Sequence, residues 1–453
     1  MDSNTEIIST EQLVEWFKLG NKKKEDWKVG TEHEKFAYNY IKEDNFFRPV
    51  AYESKNGIES FLKEISKYGW NEVHEEGKIV ALKKSNQSIT LEPGGQIELS
   101  GAPLEDIHSA CKETNEHLKL VKEVGKKLNI TMLGLGSRPF ENTKSIPWMP
   151  KPRYKIMKNY MPKKGTNGLD MMLSTCTVQA NLDYMNEEDM KKKMLLSVKI
   201  QPILTALFAN SPLSEGKVNG FVSKRRYVWT HTDPDRCGTL KVAFENDFGF
   251  LKYVKFALSV PMYFIRRKNK YIDCSGDSFL DFINGKLPKL EGIKPLIQDW
   301  EDHISTIFTE VRLKRFIEVR GADAGNWRRT CALPAFWVGI LYDNVSLENG
   351  LKLTSQWNYH DVDKLSSDVA KLGLNAKIKN TSVKEFASEL IKISTNGLKN
   401  RAYLDSKNRD ETQYLAVLEE IINSEKTPAQ TLLENYNNKW NRDITKLIEE
   451  MSY

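Results

Sequence analysis

The stretch GTEHEKFAYNY, residues 30–40, alternates as an extended chain does. Side chains two apart on a strand share a face, so Glu32 and Glu34 project together. No Lys or Arg stands between them, and two such carboxylates repel unless a cation lies between. Hard oxygen ligands of this kind suit Mg²⁺, which takes one or two protein carboxylates and keeps positions for phosphate oxygens.

Three more segments place short polar groups on one strand face. In EPGGQIELS, residues 92–100, Gln96, Glu98 and Ser100 share a face after a Pro93-Gly94-Gly95 turn or bulge. In TCTVQAN, residues 175–181, Thr175, Thr177, Gln179 and Asn181 line one side, and Cys176, Val178 and Ala180 the other. In FIEVR, residues 316–320, Glu318 and Arg320 face one way. A solvated antiparallel face is the plain alternative for any one strand. Such a face commonly carries Lys, Arg and longer mixtures, whereas these groups are short amides, hydroxyls and carboxylates. Together they suit two or three Mg²⁺ ions, with a polyphosphate substrate completing the shells. Arg320, Arg225, Arg226, Arg153, Arg328 and Arg329 are candidates for phosphate or carboxylate, which the guanidinium fork fits bidentately. Arg320 stands apart because it shares its face with Glu318.

Around these segments the pattern predicts helices near 10–19, 57–68, 104–128 and 187–209, the last bent at Pro202. It predicts strands at 130–135, 171–183 and 315–320, and a hairpin over 261–274 turning near Arg267–Lys270. Residues 136–170 and 211–239 read as long loops, and from about 331 onward the pattern is mostly helical. The organisation expected is one α+β catalytic unit over 1–453, with a sheet-bearing part to 345 and a mainly helical part over 346–453.

Composition excludes several classes. The 67 basic and 61 acidic residues give a formal charge of +6, too balanced to argue for nucleic acid. Lys22–Lys24 and Lys191–Lys193 read as solvated faces. Five cysteines without a CxxC or zinc spacing read as free thiols in a reducing cytosol. The longest apolar run, 332–342, is short of the roughly 20 residues of a membrane span. The N-terminal MDSNTEIIST does not look like a transit peptide. A soluble cytoplasmic protein is expected. No P-loop, dinucleotide turn, GxSxG or HExxH occurs, so any ATP site uses another scaffold.

The blocks GTEHEKF (30–36), LEPGGQIELSGAPLE (91–105), MPKPRYKIMKNYMPKKGTNGLDMMLSTCTVQANLDY (149–184), QPILTALFANSPLSEGKVNGF (201–221), VPMYFIRRKNKYIDCSG (260–276), FTEVRLKRFIEVRGAD (308–323) and WRRTCALPAFWVGILYD (327–343) are collinear with the plant-type class of glutamate–cysteine ligases, and the chain resembles that family over nearly its whole length. The resemblance implies a glutamine-synthetase-like ligase fold: a curved, mostly antiparallel sheet with helices on its outer side. It implies ATP-dependent joining of the glutamate γ-carboxylate to cysteine through γ-glutamyl phosphate, the first step of glutathione biosynthesis. ATP is then a co-substrate and two or more Mg²⁺ ions are required. It makes Glu32, Glu34, Glu92, Glu98 and Glu318 metal ligands, with Gln96 assisting, and Glu318 and Arg320 catalytic. It puts Thr175, Thr177, Gln179 and Asn181 at the glutamate pocket, Arg153 and Arg225 at carboxylate or phosphate, and Tyr263 in a substrate-facing wall.

Plant members carry a regulatory disulfide from the hairpin to the following loop. Cys274 matches its first half, but Lys289 stands at the second, so a bacterial-type member without that switch is expected. Partners are the small molecules alone, with no nucleic acid or membrane, in a monomer or weak homodimer. Two rivals are a ligase with another amine acceptor and a non-catalytic paralogue that binds ATP or glutamate. The presence of all five acids counts against the second.

Overall fold

The computed structural model describes residues 1–41, 46–268 and 270–453. In chain order its main strands are β1 (Val29–Ile41), β2 (Phe46–Pro49), β3 (Asn71–Glu75), β4 (Lys78–Lys84), β5 (Gln87–Leu91), β6 (Ile97–Ser100), β7 (Ile130–Leu133), β8 (Thr177–Leu182), β9 (Phe264–Arg267), β10 (Lys270–Asp273), β11 (Val311–Leu313) and β12 (Ile317–Asp323). Its main helices are α1 (Thr10–Lys18), α2 (Ile58–Ser66), α3 (Ile107–Leu128), α4 (Pro152–Tyr160), α5 (Gly168–Ser174), α6 (Glu187–Leu207), α7 (Lys224–Thr230), α8 (Phe250–Ser259), α9 (Ile297–Ser305), α10 (Trp327–Leu341), α11 (Asn344–Leu353), α12 (Tyr359–Leu372) and α13 (Val383–Arg401).

Ten strands form one antiparallel sheet in the order β11-β12-β8-β1-β6-β5-β4-β3, with β2 and β7 pairing the far half of β1. Register aligns the polar face. Glu34 lies opposite Glu98, Glu32 opposite Ser100 and Gln179, and Asn181 opposite Glu318. A slip of one residue would turn each of these side chains to the other face. β12 departs from regular pairing once: its register with β8 shifts between Val319 and Ala322, a β-bulge next to Arg320.

The other face of the sheet is covered by helices. Val178, Ala180 and Leu182 of β8 pack with α6 and α10 in one apolar cluster, while Ile97 and Leu99 of β6 meet Leu118 and Val121 of α3 in another. α13 packs against α10, so the C-terminal helices form a layer behind those that touch the sheet. α3 is started by Asp106, whose Oδ1 accepts from the Ser109 N–H, and stops at Asn129 in the left-handed conformation. Cys176, just before β8, is fully buried in a separate apolar cluster with Phe36, Tyr38 and Leu133.

Four expectations are corrected. The long irregular stretch over 136–170 contains α4, and the strand read from Met171 begins only at Thr177, because Met171–Ser174 belongs to α5. The loop over 211–239 contains α7. The hairpin forms as read, from β9 and β10, and Asn269 in its turn lies outside the described residues. Lys193, read as part of a solvated face, is fully buried: its Nζ sits 3.4 Å from the Trp27 ring centroid, donates to the Asp183 carbonyl and pairs with Asp189 at 2.9 Å. Burial pushes its pKa down to about 8. Among the described residues no helix is long and apolar enough to cross a membrane.

Candidate active site

The polar face of β1, β6, β8 and β12 forms the floor of a cavity of about 280 Å³. Glu32, Glu34, Glu92, Glu98, Arg153, Thr175, Thr177, Gln179, Arg225 and Arg320 all line it, so most of the residues singled out in sequence meet in space. Trp229 of α7, Phe264 of β9 and Phe308 add apolar walls.

The acids are held singly by their neighbours. Glu32 accepts from the Asn181 amide at 2.7 Å, Glu34 from the Thr177 N–H at 2.9 Å and Glu98 from the Thr90 hydroxyl at 2.7 Å. Although they open onto the cavity, surrounding protein strips away much of their water. Desolvation, then the charges of Glu318 and Glu98, raises Glu32 to about 7. Desolvation, then Glu98 and Glu92, raises Glu34 well above the carboxylate range. Glu98 is raised by desolvation and by Glu92. A cluster of carboxylates that resist ionising together is a site short of positive charge. Among the described residues no three acidic, His or Cys side chains enclose one point by themselves. Mg²⁺ does not require that, since it binds through one or two carboxylates and keeps its other positions for water and phosphate. Hard, under-neutralised oxygen donors of this kind fit it.

Glu318 differs from the other four. It is fully buried, and Arg312, Lys314 and Arg320 surround it at 2.6, 2.9 and 3.0 Å. Burial alone would raise its pKa, but Arg312 first, then Lys314 and Arg320, hold it well below the carboxylate range. Its oxygens are engaged by these three cations, where among the described residues the other four acids have none so close. Arg320 is braced twice, by Glu318 and by Gln179 Oε1 at 2.7 Å. Arg312 and Lys314, which the sequence reading passed over, also line the cavity.

At the other end, α7 delivers Arg225. Its Nη2 donates to the Arg320 carbonyl at 2.8 Å, and its buried Nε and Nη1 have no hydrogen-bond partner. Arg153, on α4, likewise leaves Nε unpartnered beside the Tyr154 ring.

Several expected contacts fall elsewhere. Tyr263 does not line the cavity: it is buried with the Arg236 guanidinium 3.8 Å from its ring centroid, and the next residue, Phe264, faces the cavity instead. Asn181 is occupied with Glu32 rather than lining the pocket. The hydroxyls of Thr175 and Thr177 bond to backbone carbonyls, of Met171 and of Arg320 and Ala322. Gln96 is spent on the turn, accepting from Gly94 N–H and donating to the carbonyls of Met172 and Thr175. Arg226 pairs with Glu310 inside the protein, Arg328 pairs with Glu420 on the surface, and Arg329 lies against Gly325; none is in the cavity lining. Lys289 ion-pairs with Asp277 and donates to the Asp273 carbonyl, beside the buried Cys274 thiol.

Comparison with known proteins bears on the family and the fold. The family profile described as glutamate-cysteine ligase family 2 matches residues 28–450. The chain is 49% identical to the chloroplastic glutamate–cysteine ligase of Nicotiana tabacum, over 99% of this chain and 84% of that one. It is 48% identical to the chloroplastic glutamate–cysteine ligase of Arabidopsis thaliana, again over 99% and 84%. The glutamate–cysteine ligase of Francisella tularensis, solved in complex with AMP, shares the fold at TM-score 0.56 and 14% identity, over 95% of this chain and 89% of that one.

Proposed function

Since the chain belongs to glutamate–cysteine ligase family 2, we propose that it joins the γ-carboxylate of glutamate to the amine of cysteine at the expense of ATP, with Mg²⁺, giving γ-glutamylcysteine for glutathione synthesis. One observation carries the reading: four carboxylates and four arginines converge on one cavity, between the polar face of the sheet and the helices α4 and α7. Two anionic substrates must react there, and charge of both signs is what permits it.

The ATP γ-phosphoryl group passes to a glutamate γ-carboxylate oxygen. The cysteine amine then attacks the acyl carbon, and phosphate leaves with the C–O bonding electrons. Glu32, Glu34, Glu92 and Glu98 would hold the Mg²⁺ ions, which when bound neutralise the phosphates and orient the in-line transfer. Arg320, supported by Arg312 and Lys314, meets the transferring phosphoryl group. Glu318 keeps the three cations together, and Gln179 and Glu318 fix the Arg320 fork. Arg225 holds a glutamate carboxylate with its two unpartnered N–H groups, between Thr177 and Trp229. Arg153 serves a second anion at the α4 side. All five cysteines are free thiols, which suits a reducing compartment, and we place the reaction in the cytoplasm.

The test is phosphate release from ATP with Mg²⁺ and glutamate, with and without cysteine, and with the peptide product identified by mass spectrometry. Cysteine-dependent release with γ-glutamylcysteine formed is the expected outcome. Release that prefers another amine would move the acceptor, and no turnover with any amine would remove the catalytic reading.

A further inference from the structure

Asp323, at the end of β12, is buried, is absent from the cavity lining and pairs directly with no cation among the described residues. Its carboxylate is nonetheless fully used. Oδ2 accepts from the Asn210 N–H at 2.8 Å and the Ser211 hydroxyl at 2.6 Å, and Oδ1 accepts from the Ser223 hydroxyl at 2.8 Å. Ser223 caps α7, and Ser211 bridges to it from the preceding segment. Ser223 Oγ accepts from the Arg226 N–H at 3.1 Å, and Ser211 Oγ accepts from the Arg225 N–H at 3.2 Å. A buried carboxylate on the strand that carries Arg320 thus holds, through two hydroxyls, the backbone N–H groups of Arg225 and Arg226 in the first turn of α7. The fit leaves no slack, since a Cβ on Gly136 would stand 2.3 Å from the Asp323 carboxyl carbon.

We infer that Asp323 is a positioning residue for glutamate binding, fixing α7 so that the free guanidinium nitrogens of Arg225 face the substrate. This rests on the reading of Arg225 as the glutamate anchor. The link to β12 explains why a charged group is used here. A carboxylate accepts from all three donors at once, whereas an amide offers one acceptor oxygen and presents N–H to the remaining hydroxyl. A small displacement of a substrate-orienting group is enough to weaken binding on the order of tenfold or more.

The experiment is steady-state kinetics and glutamate calorimetry with Mg²⁺ on D323N, S211A, S223A and R225A, and on the double variant D323N/R225A. Expected is a rise of about tenfold in KM for glutamate in D323N, with a smaller rise in S211A and S223A, and KM for ATP within about twofold. In the R225A background D323N adds little, because residues acting through one another are not additive. If R225A leaves glutamate binding intact, the anchor reading falls and this inference with it. If R225A weakens glutamate binding while D323N and both serine variants do not, the anchor stands and the positioning role of Asp323 is overturned. Equal loss for glutamate and ATP, or full additivity in the double variant, overturns it too. Should D323N fail to fold, S211A and S223A decide by the same criteria.

Discussion

The two faces of β1 carry ionisable groups one residue apart and treat them in opposite ways. Toward the cavity, Glu32 and Glu34 make no direct ion pair among the described residues. Toward the helices, His33 and Lys35 are buried under α3 beside His117, with Lys35 Nζ donating to His33 O at 3.0 Å and contacting His33 Nδ1 at 2.9 Å. Burial lowers Lys35 to about 7 and holds His33 and His117 well below the usual imidazole range. The inner face holds on to protons that a bound cation would displace; the outer face has removed its charge by giving protons up. Polarity alone therefore does not mark a site. What marks it is charge that the fold leaves unbalanced.

The largest effect should come from the inner face. Arg320→Ala and Glu32→Gln should each lower kcat on the order of a hundredfold or more with the melting temperature little changed, as read by phosphate release and calorimetry. Near-normal turnover in either would break the contrast at its stronger end. Lys35→Met should leave turnover within about twofold, because a buried cation replaced by an apolar chain of similar length is often neutral or stabilising. A hundredfold loss there would show that the outer face serves the chemistry.

The two faces should also respond oppositely to pH. Carboxyls raised in the folded state bind more protons than the unfolded chain, so without Mg²⁺ the inner face weakens the protein as pH climbs from 4.5 to about 7. Mg²⁺ should then raise the melting temperature more at pH 7.5 than at pH 5; an equal shift would argue against the acids as its ligands. Lys35, lowered from 10.5 to about 7, weakens the protein as pH falls through that window. Denaturant melts should accordingly show Lys35→Met gaining on the parent chain at pH 7 relative to pH 10. The smallest effect is expected from Tyr263→Phe, whose hydroxyl lies 3.4 Å from Asp233 outside the cavity: substrate KM values should stay within about twofold. A large rise in either amino-acid KM would restore Tyr263 as a substrate wall.

The inner face was legible in sequence because alternation is local: the glutamates of GTEHE and QIELS declare their side without knowledge of the fold. α4 was not, since its prolines and lysines imitate a loop. Yet Pro152 opens the helix, and Tyr154, Met157 and Tyr160 supply its buried stripe. Tyr263 and Phe264 could not be told apart, because which of two adjacent aromatics faces the cavity depends on where the hairpin docks. Lys193 was misplaced because the rings that bury it, Trp27 and Tyr342, come from distant parts of the chain. Glu318 matched the acids by face, and only the convergence of Arg312, Lys314 and Arg320 gives it a different occupation.

The bulge in β12 has a consequence for how the chain tolerates change in length. From Val319 to Ala322 the strand takes three steps while β8 takes two, from Ala180 to Val178. Before that point even-numbered residues of β12 lie on the cavity side of the sheet; after it, Asp323 comes level with Thr177 and the parity is reversed. Gly321 occupies the crossing, where a Cβ would stand 2.5 Å from Gln201 Nε2 and 2.6 Å from Glu310 Oε2. Arg320 and Asp323 thus belong to opposite counts of one strand. Loss of a single residue between them would remove the bulge and put the two on one count, so that regular alternation would keep both on the face they already share.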